Sequence, residues 1–336
     1  MIRPITLFSG QWTDLPFDKF CEKAKSFGYD GIEIACWGDH LDLKKAASDP
    51  KYIEERKNIL KTYNLKVLAL GTHLIGQCIT DGADSRFCSI VPSNLHGKPE
   101  DVRKWAIQEM KYAAVAAKNL GVKVITGFIG NPLWSAWYSL PRLPLGAQAS
   151  EPVLADAYAH VLKHWTPVFD EFDKNGVKLA LEIQAGGITF DYYSAERFLK
   201  ELKNRKTVGF NFDPSGLLWQ GIIPHLFIRD FARHIIHARI KDITVTLDGK
   251  AGILGSFLPS GEVRRGWNFR SPGHGDVDFE NIIREFNAVN YKGPLSVEWE
   301  DSSMNRELGA KEAFEFTKSI NFSPSDTVSD DISKAE

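Results

Sequence analysis

Short apolar segments alternate along this chain with longer segments whose apolar residues recur at helical spacing. This alternation is typical of repeated β-α units, in which helices cover the outer face of a parallel sheet. The predicted strands are Ile5–Phe8, Gly31–Ala35, Leu65–Leu70, Val122–Phe128, Val177–Glu182, Val208–Phe212, His234–Ile240 and Pro294–Glu298. Eight strands are the number that closes a (β/α)8 barrel, and 336 residues suffice for one such domain. The sequence therefore predicts the α/β class and a single (β/α)8 TIM barrel.

The segments between the strands predict both helices and long loops. Predicted helices are Phe17–Phe27, Trp105–Leu120, Ala155–Phe172, Ala195–Leu202 and Ile282–Val289. Three connections are unusually long, and loops at the carboxyl ends of barrel strands commonly build active sites. They are Cys78–Pro99, Gly130–Pro152 and Thr244–Asp278. We assign residues 1–321 to the barrel and the Ser- and Asp-rich residues 322–336 to a C-terminal tail.

Composition narrows the functional classes. Hydrophobic residues make up 43% and charged residues 25% of the chain, and the net charge is −2, which gives no basic surface for nucleic acid. No apolar run of about 18 residues predicts a membrane span, and the first residues lack a signal-peptide cleavage site. The four cysteines are too sparse for a disulfide framework, so reduced thiols and a cytoplasmic location are expected.

Four acidic or imidazole side chains stand at or near the ends of separate predicted strands: Glu182, Asp213, His237 and Glu298. The carboxyl ends of barrel strands surround one pocket, so residues distant in sequence meet there. Carboxylates with an imidazole suit a divalent cation, for which we expect Mn²⁺, with Mg²⁺, Co²⁺ or Zn²⁺ as alternatives.

The sequence of the seventh strand does not decide which histidine is the imidazole ligand. His237, Arg239 and Lys241 alternate along it and share one face, which suggests a ligand, a substrate clamp and an outer support respectively. His274 competes with His237, because its Gly-His-Gly turn can bring an imidazole close to a ligand.

Several segments together resemble the sugar phosphate isomerase/epimerase superfamily, the xylose-isomerase-like barrels that include inosose dehydratases and ketose 3-epimerases. The segments are Gly28–Glu33, Leu181–Glu182, Asn211–Ser215, His237–Asp242, Pro272–Asp278 and Tyr291–Glu298. The resemblance implies that Glu182, Asp213 and Glu298 bind a divalent ion with one histidine. It also implies acid/base roles for Glu182 and Glu298, and we add His274 as a third catalytic candidate.

The sequence departs from the family pattern at three positions. Gly216 stands where the family often has a histidine after Asp-Pro-Ser, and Ser135 where some relatives carry one. Arg239 replaces a coordinating histidine, and a guanidinium cannot ligate a metal. Either His237 or His274 then supplies the imidazole, or the metal site is weakened.

The shared chemistry of the superfamily begins with proton abstraction next to a carbonyl. We expect an isomerase or epimerase of a keto-sugar or related polyol, with His73, Trp134, Arg239 and Trp37 contacting the substrate. The alternative is a lyase that cleaves 3-keto-glycosides, because the chain also resembles the larger (alpha) subunit of bacterial C-deglycosylation enzymes. An endonuclease-IV-like repair enzyme and a decayed, non-catalytic barrel are the remaining readings. Expected partners are a sugar or glycoside, and either further copies of the chain or a small beta subunit.

Overall fold

Eight parallel strands form a closed barrel in the computed structural model, which describes residues 3–81, 87–134, 151–203 and 205–325. The barrel strands are β1 (Ile5–Phe8), β2 (Gly31–Ala35), β3 (Lys66–Gly71), β4 (Val124–Gly127), β5 (Lys178–Glu182), β6 (Val208–Phe212), β7 (Ile235–Ile240) and β10 (Leu295–Val297). Each pairs with its neighbour in chain order, and β10 closes the barrel against β1. The predicted (β/α)8 class is confirmed.

Helices surround the barrel. In the described part of the chain they are Phe17–Ser26, Leu43–Ser48, Pro50–Thr62, His73–Gln77, Pro99–Leu120, Glu151–Asn175, Tyr192–Glu201, Pro214–Leu218, Pro224–Phe231, Phe279–Ala288 and Arg306–Ile320. The helix Glu151–Asn175 shows why they pack on the barrel: Val161, Trp165, Val168 and Phe172 recur at helical spacing and are buried. Burying each such side chain contributes about 1.5–3 kcal/mol.

Period-two alternation separates two environments along each strand. Leu7 pairs in register with Ile32 and Val297, and these apolar residues face the helices. Thr6 pairs with Ser296, which pairs with Arg239, so these polar residues share the interior face. The buried interior is therefore polar, and it carries Thr6, Glu33, Thr126, Asn211, His237, Arg239 and Ser296. Such a network is stable only when its members bond one another.

A two-stranded antiparallel sheet, which the sequence did not reveal, begins just before the predicted loop Thr244–Asp278 and extends into it. It pairs β8 (Asp242–Val245) with β9 (Trp267–Arg270), so the chain leaves the barrel after β7 and returns beside it. The Asp242 carboxylate accepts backbone N–H bonds from Gly273 and Gly275 at 2.9 Å and thereby fixes the return. A Cβ on Gly275 would lie 2.3 Å from Asp242 Oδ1, which explains the glycine at this position.

Some predicted elements begin or end at other residues than the sequence indicated. The helix predicted from Trp105 begins at Pro99, since proline is favoured in the first helical turn. Phe322, placed in the predicted tail, packs against the hydrophobic core, and residues 326–336 lie outside the described residues.

Cys21, Cys36 and Cys78 are buried and Cys88 is exposed, and all four are free thiols. Among the helices of the described ranges, none is long and apolar enough to cross a membrane.

Candidate active site

Three of the predicted metal ligands meet at the carboxyl ends of the strands. Glu182 ends β5, Asp213 follows β6 and Glu298 follows β10. One carboxylate oxygen from each lies within 4.8 Å of the others, and all three side chains are buried. The structure therefore places Glu182, Asp213 and Glu298 around a single point.

Neighbouring donors orient each of these carboxylates. Asn211 Nδ2 donates to Glu182 Oε2 at 2.9 Å. Asp213 caps the helix Pro214–Leu218, and its Oδ1 accepts from the Ser215 backbone N–H at 2.8 Å and hydroxyl at 2.7 Å. Glu298 Oε1 accepts from Lys241 Nζ at 2.8 Å and from Gln11 Nε2 at 3.1 Å. Glu298 Oε2 has no hydrogen-bond partner among the described residues, and its nearest charged neighbour is Arg239 Nε at 3.0 Å.

The carboxylates perturb one another's protonation. Burial and the adjacent Glu182 carboxylate raise the pKa of Asp213 to about 7, against the opposing effect of Lys241. Burial alone would raise the pKa of Glu298, but the Lys241 and Arg239 cations outweigh it and hold that pKa well below its usual range. A divalent cation beside Asp213 would favour its ionised form and lower its pKa again.

The donor set fits a divalent metal ion. Hard carboxylate oxygens are the ligands that Mg²⁺ and Mn²⁺ prefer. Glu298 Oε2 is buried beside the other two carboxylates and accepts no aligned hydrogen bond among the described residues, although the Arg239 cation lies 3.0 Å away. Glu182, Asp213 and Glu298 would hold the ion, and substrate oxygens or water would complete its coordination.

His237 does not join this group, contrary to its predicted role as a ligand. It pairs in register with Asn211, two residues before Asp213, and so lies one pleat deeper in the barrel. Its Nδ1 lies 2.8 Å from Asn211 Oδ1, and its Nε2 lies 3.5 Å from Glu33 Oε2. Burial lowers the pKa of His237 to about 4 despite the nearby Glu33 carboxylate, so the imidazole is neutral. Through Asn211, His237 positions Glu182.

His274 is also placed away from the carboxylates, which corrects its predicted catalytic role. Its side chain is 49% exposed, and Nε2 lies 3.5 Å from Glu312 on the outer helix Arg306–Ile320. The Gly-His-Gly turn acts through its glycine N–H groups, which bind Asp242. The backbone of this motif therefore holds the Asp242 carboxylate, and the His274 imidazole faces Glu312 instead of the three carboxylates.

Arg239, His73 and Trp37 lie on the side of the site formed by the first barrel strands. Arg239 is fully buried and reaches across the barrel, with Nη2 3.0 Å from His73 Nε2. His73 begins the helix after β3, and its Nε2 lies 3.6 Å from Glu182 Oε2. The Trp37 ring lies 6.3 Å from the His73 ring. The predicted substrate-binding residues thus include a cluster that touches the carboxylates directly.

The opposite side of the site opens into a cavity of about 660 Å³. Glu182, Asp213 and Lys241 line its polar floor, and its walls are largely aromatic. The wall residues are Trp134, Trp219, Trp267, Phe269 and Phe257. Trp219 and Trp267 stack with ring centroids 5.1 Å apart and planes 15° apart.

Sequence reasoning predicted some of this cavity and missed the rest. Trp134 was predicted to contact the substrate and lies in the wall, whereas Trp267 and Phe269 were missed. Their period-two alternation in Trp267-Asn268-Phe269 was the available signal. Gly216 also lines the cavity, and a Cβ there would lie 2.8 Å from the Ile183 carbonyl oxygen, so a histidine does not fit this backbone. Ser135 lies outside the described residues.

Comparison with known proteins identifies the family. Residues 21–320 match the family described as Xylose isomerase-like TIM barrel, and the chain belongs to it.

The chain is 26% identical over 322 residues to the uncharacterized protein YfiH of Bacillus subtilis (strain 168), covering 90% of this chain and 95% of that relative. It is 27% identical over 162 residues to the inosose dehydratase of Clostridium perfringens, covering 46% of this chain and 53% of that relative.

Solved structures share the fold at lower identity. The apo form of 3-keto-D-glucoside 4-epimerase, YcjR, from E. coli superposes with a TM-score of 0.65 at 16% identity, covering 94% of this chain and 99% of that one. A xylose isomerase-like TIM barrel protein from Mycobacterium smegmatis in complex with magnesium has a TM-score of 0.63 at 15% identity, covering 95% and 96%.

Proposed function

We propose that this protein is a divalent-metal-dependent isomerase or epimerase of a carbohydrate that carries a carbonyl group. The observation that carries the proposal is the convergence of Glu182, Asp213 and Glu298 on one point, where Glu182 and Asp213 line an open cavity. The family match and the relatives named as a sugar epimerase and a dehydratase support it. We propose Mn²⁺ as the ion, with Mg²⁺ as the nearest alternative.

The reaction would begin with removal of the proton from the carbon next to the carbonyl. A bound divalent ion would acidify that C–H bond by drawing charge from the carbonyl oxygen. Glu182 lines the cavity and is held by Asn211, which suits a base that must keep one orientation. Glu182 would then release this proton to solvent, and Glu298 would deliver a proton taken from solvent to the substrate carbon. Return to the opposite face gives epimerisation, and return to the neighbouring carbon gives isomerisation.

Lys241 has a distinct role in this scheme. Burial would lower its pKa, but the carboxylates of Glu298 and Glu300 outweigh burial and raise it, so the ammonium stays protonated. It lines the cavity beside Glu182 and Asp213. A fixed cation there can donate to a substrate oxygen as negative charge develops on it.

Exchange of substrate hydrogen with solvent tests the proposal. In D₂O with Mn²⁺, 3-keto-glucose should acquire deuterium next to its carbonyl, and Glu182→Gln should abolish the exchange. Glu280→Gln, on the exposed face of the helix Phe279–Ala288, is the matched control and should exchange normally. Turnover that carries the substrate's own hydrogen intact to the next carbon, as in hydride transfer, would refute proton abstraction.

A second candidate function is elimination from a 3-keto-glycoside. The aromatic wall favours it, because stacked Trp219 and Trp267 offer a flat apolar surface that a bare sugar does not need. The same proton abstraction would then expel the group attached to the sugar. Release of a free aglycone from a 3-keto-glycoside would indicate the lyase, and its absence alongside deuterium exchange would indicate the isomerase or epimerase.

We also propose that the protein assembles with a further subunit. Leu254, Phe257 and Val263, on the excursion between β8 and β9, are exposed apolar side chains, and the first two line the cavity. Such exposed patches commonly mark interaction sites. Light scattering on the purified protein, and on Phe257→Asp, would show a dimer or larger assembly that the substitution dissociates. A monomer in both cases would leave a small beta subunit to be sought by co-purification.

A further inference from the structure

Arg239 occupies an unusual place at the centre of the carboxylate site. It is fully buried, and its Nε lies 3.0 Å from Glu298 Oε2 and 3.7 Å from Glu182 Oε2. Two of the three carboxylates that would hold a metal therefore already face a permanent cation. A guanidinium cannot lose its proton in a protein, so this charge is present in every state of the site.

The contact between Arg239 and Glu298 is close without being an aligned hydrogen bond. Arg239 Nε and Glu298 Oε2 are 3.0 Å apart, yet neither atom has a hydrogen-bond partner among the described residues. The attraction is therefore mainly that of opposite charges. Glu298 Oε2 can turn its lone pairs to another cation without breaking a directed bond, while Lys241 and Gln11 keep Oε1 in place.

The rest of the guanidinium is fixed by the barrel interior. Nη1 donates to Glu33 Oε2 at 2.5 Å and to Ser296 Oγ at 3.3 Å, and Nη2 lies 3.0 Å from His73 Nε2. The Phe8 ring lies 4.3 Å from the guanidinium carbon. These contacts prevent Arg239 from swinging away when another cation arrives.

We propose that Arg239 is a built-in counter-cation that weakens metal binding at the carboxylate site. The inference rests on the proposed metal site. Metal–oxygen bonds are about 2.0–2.6 Å long, so an ion bound to Glu298 Oε2 would lie within about 6 Å of Arg239 Nε. The two like charges repel in a buried environment, where screening is weak.

Two consequences follow for the protein. Without metal, Arg239 and Lys241 partly neutralise the carboxylates, so the metal-free chain keeps its fold. With metal, only Glu182, Asp213 and Glu298 serve as protein ligands, and the remaining coordination positions stay open to substrate oxygens. Metal is then bound reversibly and is retained best in the ternary complex.

Metal affinity in variants at position 239 tests this role without relying on turnover. Arg239→Gln removes the positive charge but keeps amide N–H donors for Glu33. Arg239→Lys keeps the positive charge but lacks the planar guanidinium group. Mn²⁺ titration, followed by calorimetry and by the spin resonance signal of free Mn²⁺, should show Arg239→Gln binding at least about tenfold more tightly than wild type. Arg239→Lys should stay within about threefold of wild type. Arg56→Gln, at a buried arginine elsewhere, is the control and should leave the affinity unchanged.

The outcomes separate this inference from the proposed function. If wild type binds Mn²⁺ and Arg239→Gln binds no more tightly, the counter-cation role is wrong and the metal-dependent function stands. If neither protein binds Mn²⁺ at millimolar concentration, the metal-dependent function itself fails. Should Arg239→Gln not fold, Arg239→Met, which is uncharged and offers no hard ligand atom, is the second variant and must also bind more tightly. Unfolding of the wild-type chain by a chelator alone would overturn the inference as well.

Discussion

The two sides of the candidate site are built in different ways. On one side, the barrel interior holds Glu33, His73 and Arg239 in a buried network in which most polar atoms have a fixed partner. On the other side, connections after the strands supply a cavity with aromatic walls, and side chains such as Leu254 and Phe257 remain exposed. The interior therefore fixes the geometry of the chemistry, whereas the cavity leaves room for different substrates. This division is common in barrels, whose loops vary over a constant frame.

The largest expected effect concerns Glu298, where the two sides meet. Glu298→Gln should lower turnover by at least about 10³-fold, because a neutral amide can neither bind the ion well nor carry the proton. Its oxygen can still accept from Lys241, so the circular dichroism spectrum should stay that of the folded barrel, whereas the melting temperature should fall because Arg239 and Lys241 lose an opposite charge. Steady-state assays beside Glu280→Gln give the comparison. Near-normal turnover by Glu298→Gln would remove this residue from the mechanism.

Breaking the interior network should cost stability. Glu33 accepts from Arg239, from Ser296 at 2.7 Å and from Thr126 at 2.5 Å, and it is fully buried. Glu33→Gln should lower the free energy of unfolding by about 3–5 kcal/mol, since it breaks the buried ion pair with Arg239 Nη1 and leaves only Glu298 and Glu182 to offset that cation. Urea titration measures the change, with Glu280→Gln expected within about 0.5 kcal/mol of wild type. A loss below about 1 kcal/mol would mean that the buried network of the barrel interior contributes little to the stability of the fold.

Acid should weaken the interior more than the cavity side. The folded pKa of His237 is lowered to about 4 by burial, below the ordinary value of 6.5 that applies to the unfolded chain. The unfolded state therefore binds a proton more readily. The resulting stability is fully present above pH 6.5 and is lost as pH falls towards 4.

Urea titrations at several pH values within that range should show the free energy of unfolding falling by up to about 3 kcal/mol. His237→Asn should reduce the slope of the free energy of unfolding against pH. An unchanged slope in His237→Asn would show that this residue is not the cause.

The smallest expected effect lies in the cavity wall. Trp267→Ala removes half of the stacked pair, and Trp267 is only partly buried, so we expect a stability loss below about 1.5 kcal/mol. We expect kcat/KM for an aryl 3-keto-glycoside to fall about tenfold, and that for 3-keto-glucose to change less than about threefold. Trp267→Phe, which keeps a flat ring, should recover most of the loss. Equal losses for both substrates would mean that the wall contacts the sugar itself.

The sequence predicted the positions of the carboxylates of the site better than the positions of the histidines. The carboxylates Glu182, Asp213 and Glu298 were found from their strand-end positions alone, since parallel strands bring their ends together whatever else the chain does. His237 and His274 could not be placed in the same way. The depth of His237 depends on the register between β6 and β7, which shifts between Phe210 and Asn211. The orientation of His274 depends on the turn that clamps Asp242.

By itself, the sequence determined the eight barrel strands, the class of fold and the meeting of three carboxylates, because each follows from local periodicity and strand order. Only the tertiary structure decided that Arg239 lies among those carboxylates and that the returning strand β9 brings Trp267 and Phe269 to the cavity. These placements depend on long-range contacts, such as Arg239 with Glu33 across the barrel and Trp267 with Trp219 across the cavity wall. A local pattern carries no signal for such contacts, since the partners are distant in sequence and meet only when the barrel closes.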